Sequence, residues 1–414
     1  MKDAIISHQN DPHALESLYR SDKQNFQRTF LAVYPELQSR DIAECWKERL
    51  QFEAEASQKA SSSDWTFLLV AALLAGLLAK LPALLSINEE FFYPRNIGFI
   101  VFPFLAAWFA RENKLAPVKI LSALAVVVGS ALFINLLPAG LQDDTMVLSC
   151  IHLVVVLWFV LAFSFVGDWR RQDGKRLNFL QFNGDLLVMC ALIVIAGGIV
   201  SGVTMGLFSL IGLDIHVFYM ENIVFFTLPA VPIFATWLTQ SNPQLVGKVS
   251  PVIARIFSPV VLVMLTVYIG AMFIAGKEPY TNREFLIIFN VLLIGVMALI
   301  FFSVAGSYTT ASRKAETWIL FLLSVVTIVV NGIALSAILF RISEWGFTPN
   351  RTAVLGSNVL ILINLLWVST RLFQALRRNE NTMAVGRAMV RYLPVYLVWA
   401  AVVTFLFPFL FGFK

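Results

Sequence analysis

Few side chains in this 414-residue chain can do chemistry, and most of them border long apolar runs. The densest polar group is Arg341-Ile342-Ser343-Glu344-Trp345-Gly346-Phe347-Thr348-Pro349-Asn350-Arg351. Arg341 and Glu344 are three apart, a spacing that brings side chains together on a helix. Arg341 and Arg351 offer planar donor forks suited to an anion or a lipid headgroup. The plainer alternative is a structured hairpin whose charges pair with each other. Gly346 permits a tight turn, and Pro349 keeps the residue before it from continuing a helix. Three further ionisable residues, Lys80, His152 and Asp185, lie inside apolar runs, where charge is costly and marks candidate function. Lys80 precedes Pro82 and can send its amine outward along its aliphatic stem. His152 reads as a hydrogen-bonded imidazole or as a proton relay. Asp185 stands at the opening of the fifth apolar run, where a carboxylate suits a helix N-terminus.

The elements that position these residues follow from composition. The chain is 58% hydrophobic and 14% charged, with mean hydropathy +0.76. Soluble domains average roughly 45–50% apolar and about 25% charged residues, so the bilayer is the expected solvent and partner. Spanning takes about 20 apolar residues per helix. Eleven runs qualify: 65–86, 96–110, 117–138, 145–166, 184–211, 223–240, 252–275, 285–304, 315–340, 352–372 and 392–411. The expected fold is all-α, a polytopic helix bundle, since no short alternating segments suggest a barrel. The fifth run is long and carries Gly197, Gly198, Gly202 and Gly206, which allow close packing, a kink or a discontinuous helix. Asn135, Asn290, Asn331, Asn358 and Asn364 fall inside runs and suit hydrogen bonds between helices.

Charge fixes an expected orientation. If residues 1–64 are cytoplasmic, sixteen Lys and Arg border the inner connections and six the outer ones. The positive-inside rule then puts the N-terminus in the cytoplasm and the C-terminus outside. This distribution accounts for the net charge of +5 without nucleic acid as a partner. Residues 1–64 hold 8 Lys and Arg against 11 Asp and Glu, and both signs make them unlike a cleavable signal peptide. Asp11-Pro12 starts a helix bearing Leu15, Leu18 and Tyr19; a second carries Phe26, Phe30 and Leu31 and stops near Pro35; a third carries Ile42, Trp46 and Leu50. Ala60 to Ser63 is the expected hinge. Cys45, Cys150 and Cys190 have no metal or redox spacing, and no phosphate loop, zinc motif or nucleophile elbow occurs, so no cofactor or metal is expected.

The chain also repeats itself. Phe92-Tyr93-x-x-Asn96-Ile97-x-Phe99, with Pro103, returns at an offset of 126 as Phe218-Tyr219-x-x-Asn222-Ile223-x-Phe225, with Pro229. Lys119-Ile120-x-Ser122 is echoed by Arg255-Ile256-x-Ser258, Gly140 by Gly276, and Phe163-Ser164-x-x-Gly167-x-Trp169 by Phe302-Ser303-x-x-Gly306-x-Tyr308. A four-helix shift preserves direction, so the expectation is a parallel repeat: 65–183 as one unit, 184–314 as a second and 315–414 as a partial third, behind a cytoplasmic head at 1–64.

Two segments also carry a resemblance. The pattern Arg-x-x-Glu-aromatic-Gly-Phe-Thr-x-Asn-Arg at 341–351 resembles the signature of a bacterial multi-pass family known as domain of unknown function 4153. The head segments Leu18-Tyr19-Arg20, Phe30-Leu31-Ala32-Val33-Tyr34-Pro35 and Trp46-Lys47-Glu48-Arg49-Leu50 are similar to heads on such proteins. The resemblance implies an inner-membrane location and assigns no catalytic residue. Three functions stay open: a permease for a small or amphipathic solute with its site near helices 1, 5 and 9; a scaffold whose residues 1–60 bind a cytoplasmic protein; and a lipid-modifying enzyme using Glu89 and Glu90. Multi-pass transferases of lipid-linked sugars are similar in carrying acidic residues after their first helix.

Overall fold

The computed structural model describes all residues except 38–39, 60–61, 139–142, 170–171, 212, 242–248, 275–282, 308–313, 379–382 and 414. Helices are the only regular structure among the described residues. The chain divides into two compact units, Met1–Val70 and Ala71–Lys414. The expected hinge falls partly, and the echoes at Gly140, Gly276 and Tyr308 wholly, outside the described residues.

The first unit is built on α1 (Lys2–Ser7), α2 (Pro12–Ser21), α3 (Lys23–Val33) and α4 (Arg40–Lys59). Asp11 caps α2 by accepting from the backbone N–H groups of His13 and Ala14 at 3.0 and 3.1 Å, with Pro12 in the first position where no N–H is needed. Asp22 caps α3 through Asn25. Ile5, Leu15, Tyr19, Phe26, Phe30, Trp46 and Leu50 close a core of stacked and edge-on rings. The sequence reading missed α1, whose single buried residue Ile5 gives no period to detect. Leu31, carried on the same helix as Phe26 and Phe30, is 39% exposed, because the neighbouring Phe30 takes the inward position on α3.

Glu16 ties α2 to α4, accepting from Arg20 at 2.9 Å and Arg49 at 2.8 Å. Its carboxyl is held below the ordinary range, first by Arg20 and then by Arg49. A carboxyl with a lowered folded value stabilises above its unfolded value, about 4.3, and that contribution is lost as pH falls through the folded value. Glu16→Gln therefore removes part of the head's pH dependence on the acid side and leaves the rest. Pulse-labelled hydrogen exchange of residues 12–50 in the full chain, after urea equilibration at pH 7 and pH 3, reads this. Equal losses at both pH values would count against it.

In the second unit α5 (Ser62–Leu85) is followed by α6 (Glu89–Glu112), α7 (Pro117–Leu136), α8 (Asp144–Val166) and α9 (Asp173–Leu210). A broken segment comes next: α10 (His216–Tyr219), a π-turn at Met220–Val224, α11 (Phe225–Thr227) and α12 (Ala230–Ser241). Then come α13 (Val249–Ile274), α14 (Arg283–Ser307), α15 (Lys314–Trp345), α16 (Pro349–Arg378), α17 (Met383–Phe405) and α18 (Phe407–Leu410). Among the described residues nine helices are long and apolar enough to cross a membrane, and ten if the broken segment is one span. The protein is a multi-pass, all-α membrane bundle. Helix α6, which covers the expected run 96–110, is 24 residues long but carries Glu89, Glu90, Arg95, Asn96 and Arg111, and is not among those nine.

Two corrections concern where helices begin and break. α9 starts at Asp173, not at 184, so Asp185 lies three turns inside it and cannot cap its N-terminus. The Gly-bearing stretch of α9 runs unbroken, and a Cβ added at Gly197, Gly198, Gly202 or Gly206 would meet nothing outside its own helix backbone within 4 Å. The break falls later, bending the chain by 44° between Thr227 and Ala230. Pro229 lies at the bend: it has no N–H to donate and its ring crowds the carbonyl four residues back.

The core joins α7, α8 and α17 through Ile134, Met146, Leu157 and Ala400, and α13 to α17 through Leu265, Phe289, Leu323, Val368 and Met389. The helices that carry or follow the two copies of the motif differ in their neighbours. α6 packs on α7 and α8, whereas α12 packs on α9 and α6.

Candidate functional site

Helix α16 packs against both α15 and α17, and this seam carries amides among its aliphatic side chains. Ser324, Thr327 and Asn331 are spaced three and four apart on α15 and are all buried. Asn331 donates Nδ2 to the Asn358 backbone carbonyl on α16 at 3.2 Å. One and a half turns on, Asn364 donates Nδ2 to the Tyr396 hydroxyl on α17 at 2.8 Å. Asn331, Asn358 and Asn364 are each 0–1% exposed. Yet Asn331 Oδ1, Asn358 Nδ2 and Asn364 Oδ1 are buried without a hydrogen-bond partner, as is Asn290 Oδ1 on α14. A buried amide atom without a partner costs about 1–3 kcal/mol, and helices in lipid have no water to repair it. The hydroxyls do not help: Ser324 and Thr327 donate to their own helix at Phe321 and Leu323. The seam thus presents neutral donors and acceptors with capacity to spare. That chemistry suits a dipolar solute or a file of waters.

The seam is held closed by a close approach. Trp399 on α17 lies against Gly356 on α16, and its indole N–H donates to the Ser357 hydroxyl at 3.0 Å.

The two copies of the repeated motif place their asparagines differently. Asn96 and Asn135 exchange amide hydrogen bonds at 2.9 Å in both directions, and each also donates to the carbonyl four residues back. This clasp between α6 and α7 is saturated and structural. Asn222 likewise donates to the Phe218 carbonyl, but its Oδ1 accepts from Lys80 Nζ at 3.2 Å. Lys80 therefore reaches across from α5 to the π-turn, where an extra residue often marks a functional position. Tyr93 donates to the Ala79 carbonyl on α5, and Tyr219 accepts from Ser201 on α9, so each tyrosine ties back to the helix before it. Phe92 is buried against Ala79 and Ile100, whereas Phe218 is 65% exposed. Pro103 lies within the unbroken α6, whereas Pro229 lies at the bend.

The remaining sequence candidates do not converge on the seam. α15 does continue through Arg341 and Glu344, but they form no ion pair. Arg341 instead lies over the Trp345 ring, 5.6 Å from its centroid, four residues along the same face. Arg351 donates to the carbonyls of Trp345 and Gly346, both at 2.8 Å, and so caps the end of α15. Gly346 has φ +75°, the left-handed conformation that closes a helix, and the Thr348 hydroxyl accepts from the Arg351 backbone N–H to open α16. These contacts describe a built hairpin. His152 is half-buried on α8 and donates Nδ1–H to the Leu148 carbonyl at 2.9 Å. Asp185 is buried on α9. Glu89 and Glu90 occupy the first turn of α6 behind the Asn88 cap, where carboxylates favour the helix dipole. No cluster of metal-ligating residues occurs among the described residues.

One group of residues escaped the sequence reading. Arg371, Arg387 and Arg391 counted only as inner charges, because the expected helices stopped at 372 and resumed at 392. In the structure α16 extends to Arg378 and α17 begins at Met383, so Arg387 and Arg391 join Arg371, already within the expected run, on helices. The available signal was spacing: Trp367 and Arg371, and Arg387 and Arg391, are each four apart. No protein-family model, curated protein or solved structure matches the chain.

Proposed function

We propose that this membrane protein is permease-like and carries a small or amphipathic solute along the amide seam between α15, α16 and α17. The observation that supports it is the set of buried amide atoms left without partners in a bundle that has no solvent of its own. The reading keeps helix 9 of the expected site and moves the rest from helices 1 and 5 to helices 10 and 11. It takes the eleven helical segments as crossings of a bacterial inner membrane, with the N-terminus inside on the sixteen-to-six distribution of Lys and Arg. The tandem arrangement of four-helix units is part of the same proposal. It is supported by the matching bonds of Asn96 and Asn222 to the carbonyls four residues back, both at 3.0 Å. Membership of the unknown-function family suggested by residues 341–351 also belongs here and adds no activity.

The test is a strain lacking the protein, compared with its complemented parent for uptake, efflux and resistance across a broad solute panel. Transport requires at least one solute to change, and a flat panel would sink the reading. A second reading makes the head a docking module for a cytoplasmic protein, and its support is that residues 1–70 form a compact unit with their own core. Deleting residues 1–60 separates the two: a permease keeps measurable flux, a scaffold loses every phenotype. A reporter fused ahead of Met1 must read as cytoplasmic in either case.

A further inference from the structure

The cytoplasmic ends of α16 and α17, on the proposed orientation, border a half-open cavity of about 240 Å³ lined by Trp367, Arg371, Ala384, Arg387, Ala388 and Arg391. On α17 the lining residues recur at spacings of three and four, so the cavity lies along one face of its first turns. Trp367 and Arg371 supply the facing wall from α16. Three guanidinium groups border this one space, Arg371 partly buried and Arg387 and Arg391 exposed at its rim.

The protein answers only part of that charge. Arg391 is fixed by Asp173, at 3.0 Å from Nη2 and 3.1 Å from Nε, and Asp173 is shared with Arg176 at 3.6 Å. Arg371 donates to the neutral Gln374 amide at 3.2 Å. Arg387 has no ion pair or hydrogen bond among the described residues. Two of the three arginines bordering the cavity are thus held in place by polar partners, and the cavity keeps a positive excess. Guanidinium forks match phosphate oxygens in pairs, which a single-point amine cannot do. The volume lies below the roughly 300–1,000 Å³ of drug-sized sites, which fits a headgroup-sized anion. Trp367 adds an aromatic wall of the kind enriched at the membrane interface.

We propose that the Arg371–Arg387–Arg391 cavity binds a phosphate-bearing anion, presented either by an anionic phospholipid of the facing leaflet or by a soluble phosphate compound. Basic pockets between transmembrane helices on the cytoplasmic side recognise such headgroups through charge and paired hydrogen bonds. The site is separate from the amide seam and does not depend on transport.

The experiment uses the full chain in a neutral maltoside detergent and follows thermal unfolding. Dioleoyl phosphatidylglycerol, dioleoyl phosphatidylcholine, and inorganic phosphate against chloride at matched ionic strength are titrated separately. Phosphatidylglycerol is expected to raise the unfolding midpoint saturably and phosphatidylcholine to leave it unmoved. Arg371→Gln with Arg387→Gln is expected to raise the half-saturating lipid concentration at least about tenfold, the size of one lost charge-assisted hydrogen bond. Arg377→Gln, at the same end but outside the cavity, keeps the wild-type response. If the double variant does not fold, Arg387→Gln alone carries the test. A saturable shift with inorganic phosphate that the variants abolish supports the site with a soluble ligand; a shift with the lipid only supports the headgroup. No shift with either probe, or a shift that survives the variants or falls equally in Arg377→Gln, overturns the proposal.

Discussion

Replacing Gly356 by alanine is expected to loosen the α16–α17 contact more than any other single methyl added to this bundle. A Cβ at that position would lie 2.0 Å from Trp399 Cζ2 and 2.2 Å from Cη2. The indole cannot simply rotate away, because its N–H is held by Ser357 at 3.0 Å. It also packs edge-on against Phe407 at a centroid distance of 5.9 Å. Overpacking costs about 1–3 kcal/mol, and a lost hydrogen bond between membrane helices adds about 0.6 kcal/mol. The Gly356→Ala protein should therefore melt well below wild type in detergent. The cause is checked by a cycle with Trp399→Leu: in that background the alanine has no ring to meet, so most of its cost must vanish. An undiminished cost would mean that the glycine matters for some reason other than the tryptophan.

Asn358→Leu should do the reverse, sparing the fold and removing the activity. The Asn358 side chain is buried, and its Nδ2 has no partner. Asn331 bonds the Asn358 backbone carbonyl rather than its side chain, so leucine leaves that bond in place. Replacing an unsatisfied amide by an apolar group of similar size is neutral or stabilising by about 1 kcal/mol. If the amide binds solute, its loss costs a further 1–3 kcal/mol of recognition, or about 5- to 150-fold in flux of whichever solute the panel identifies. A melting point at or above wild type with flux reduced tenfold or more is the expected pair of results. An Asn358→Leu protein that is more stable and fully active would reduce the amide to a structural leftover and remove the support for the transport reading.

The head and the bundle were legible for different reasons. In the head, water lies on one side of every helix, so Asp11, Pro12, Leu15, Tyr19, Phe26, Phe30, Trp46 and Leu50 sort themselves by period and capping chemistry. In the bundle, lipid is as apolar as the core, and a helix that is hydrophobic all round does not say which face meets protein. That is why Asn135 and Asn331 look alike as residues, although one is saturated by Asn96 and the other keeps an oxygen without a partner. The break was misplaced for a related reason. Glycine permits a bend without requiring one, while Pro229 removes a donor at the place where the chain does bend. The ends of α16 and α17 ran past their apolar stretches because Arg and Gln are good helix formers that reach back to the interface. Only with α17 begun at Met383 do Arg387 and Arg391 stand beside Arg371 around one space.

The sequence alone therefore determined the class of this protein: a lipid-embedded helical bundle, dictated by apolar run length, joined to a small polar head whose helices announce their own caps. The tertiary structure decided which polar atoms are spent and which are left over. It closed Asn96 on Asn135, sent Lys80 to Asn222, stacked Arg341 on Trp345, and left the amides of Asn331, Asn358 and Asn364 partly unmet. Apart from Arg341 on Trp345, these pairings join residues far apart in the chain, 39 positions for Asn96 with Asn135 and 142 for Lys80 with Asn222. They depend on how helices cross, which the period of a uniformly apolar segment does not encode.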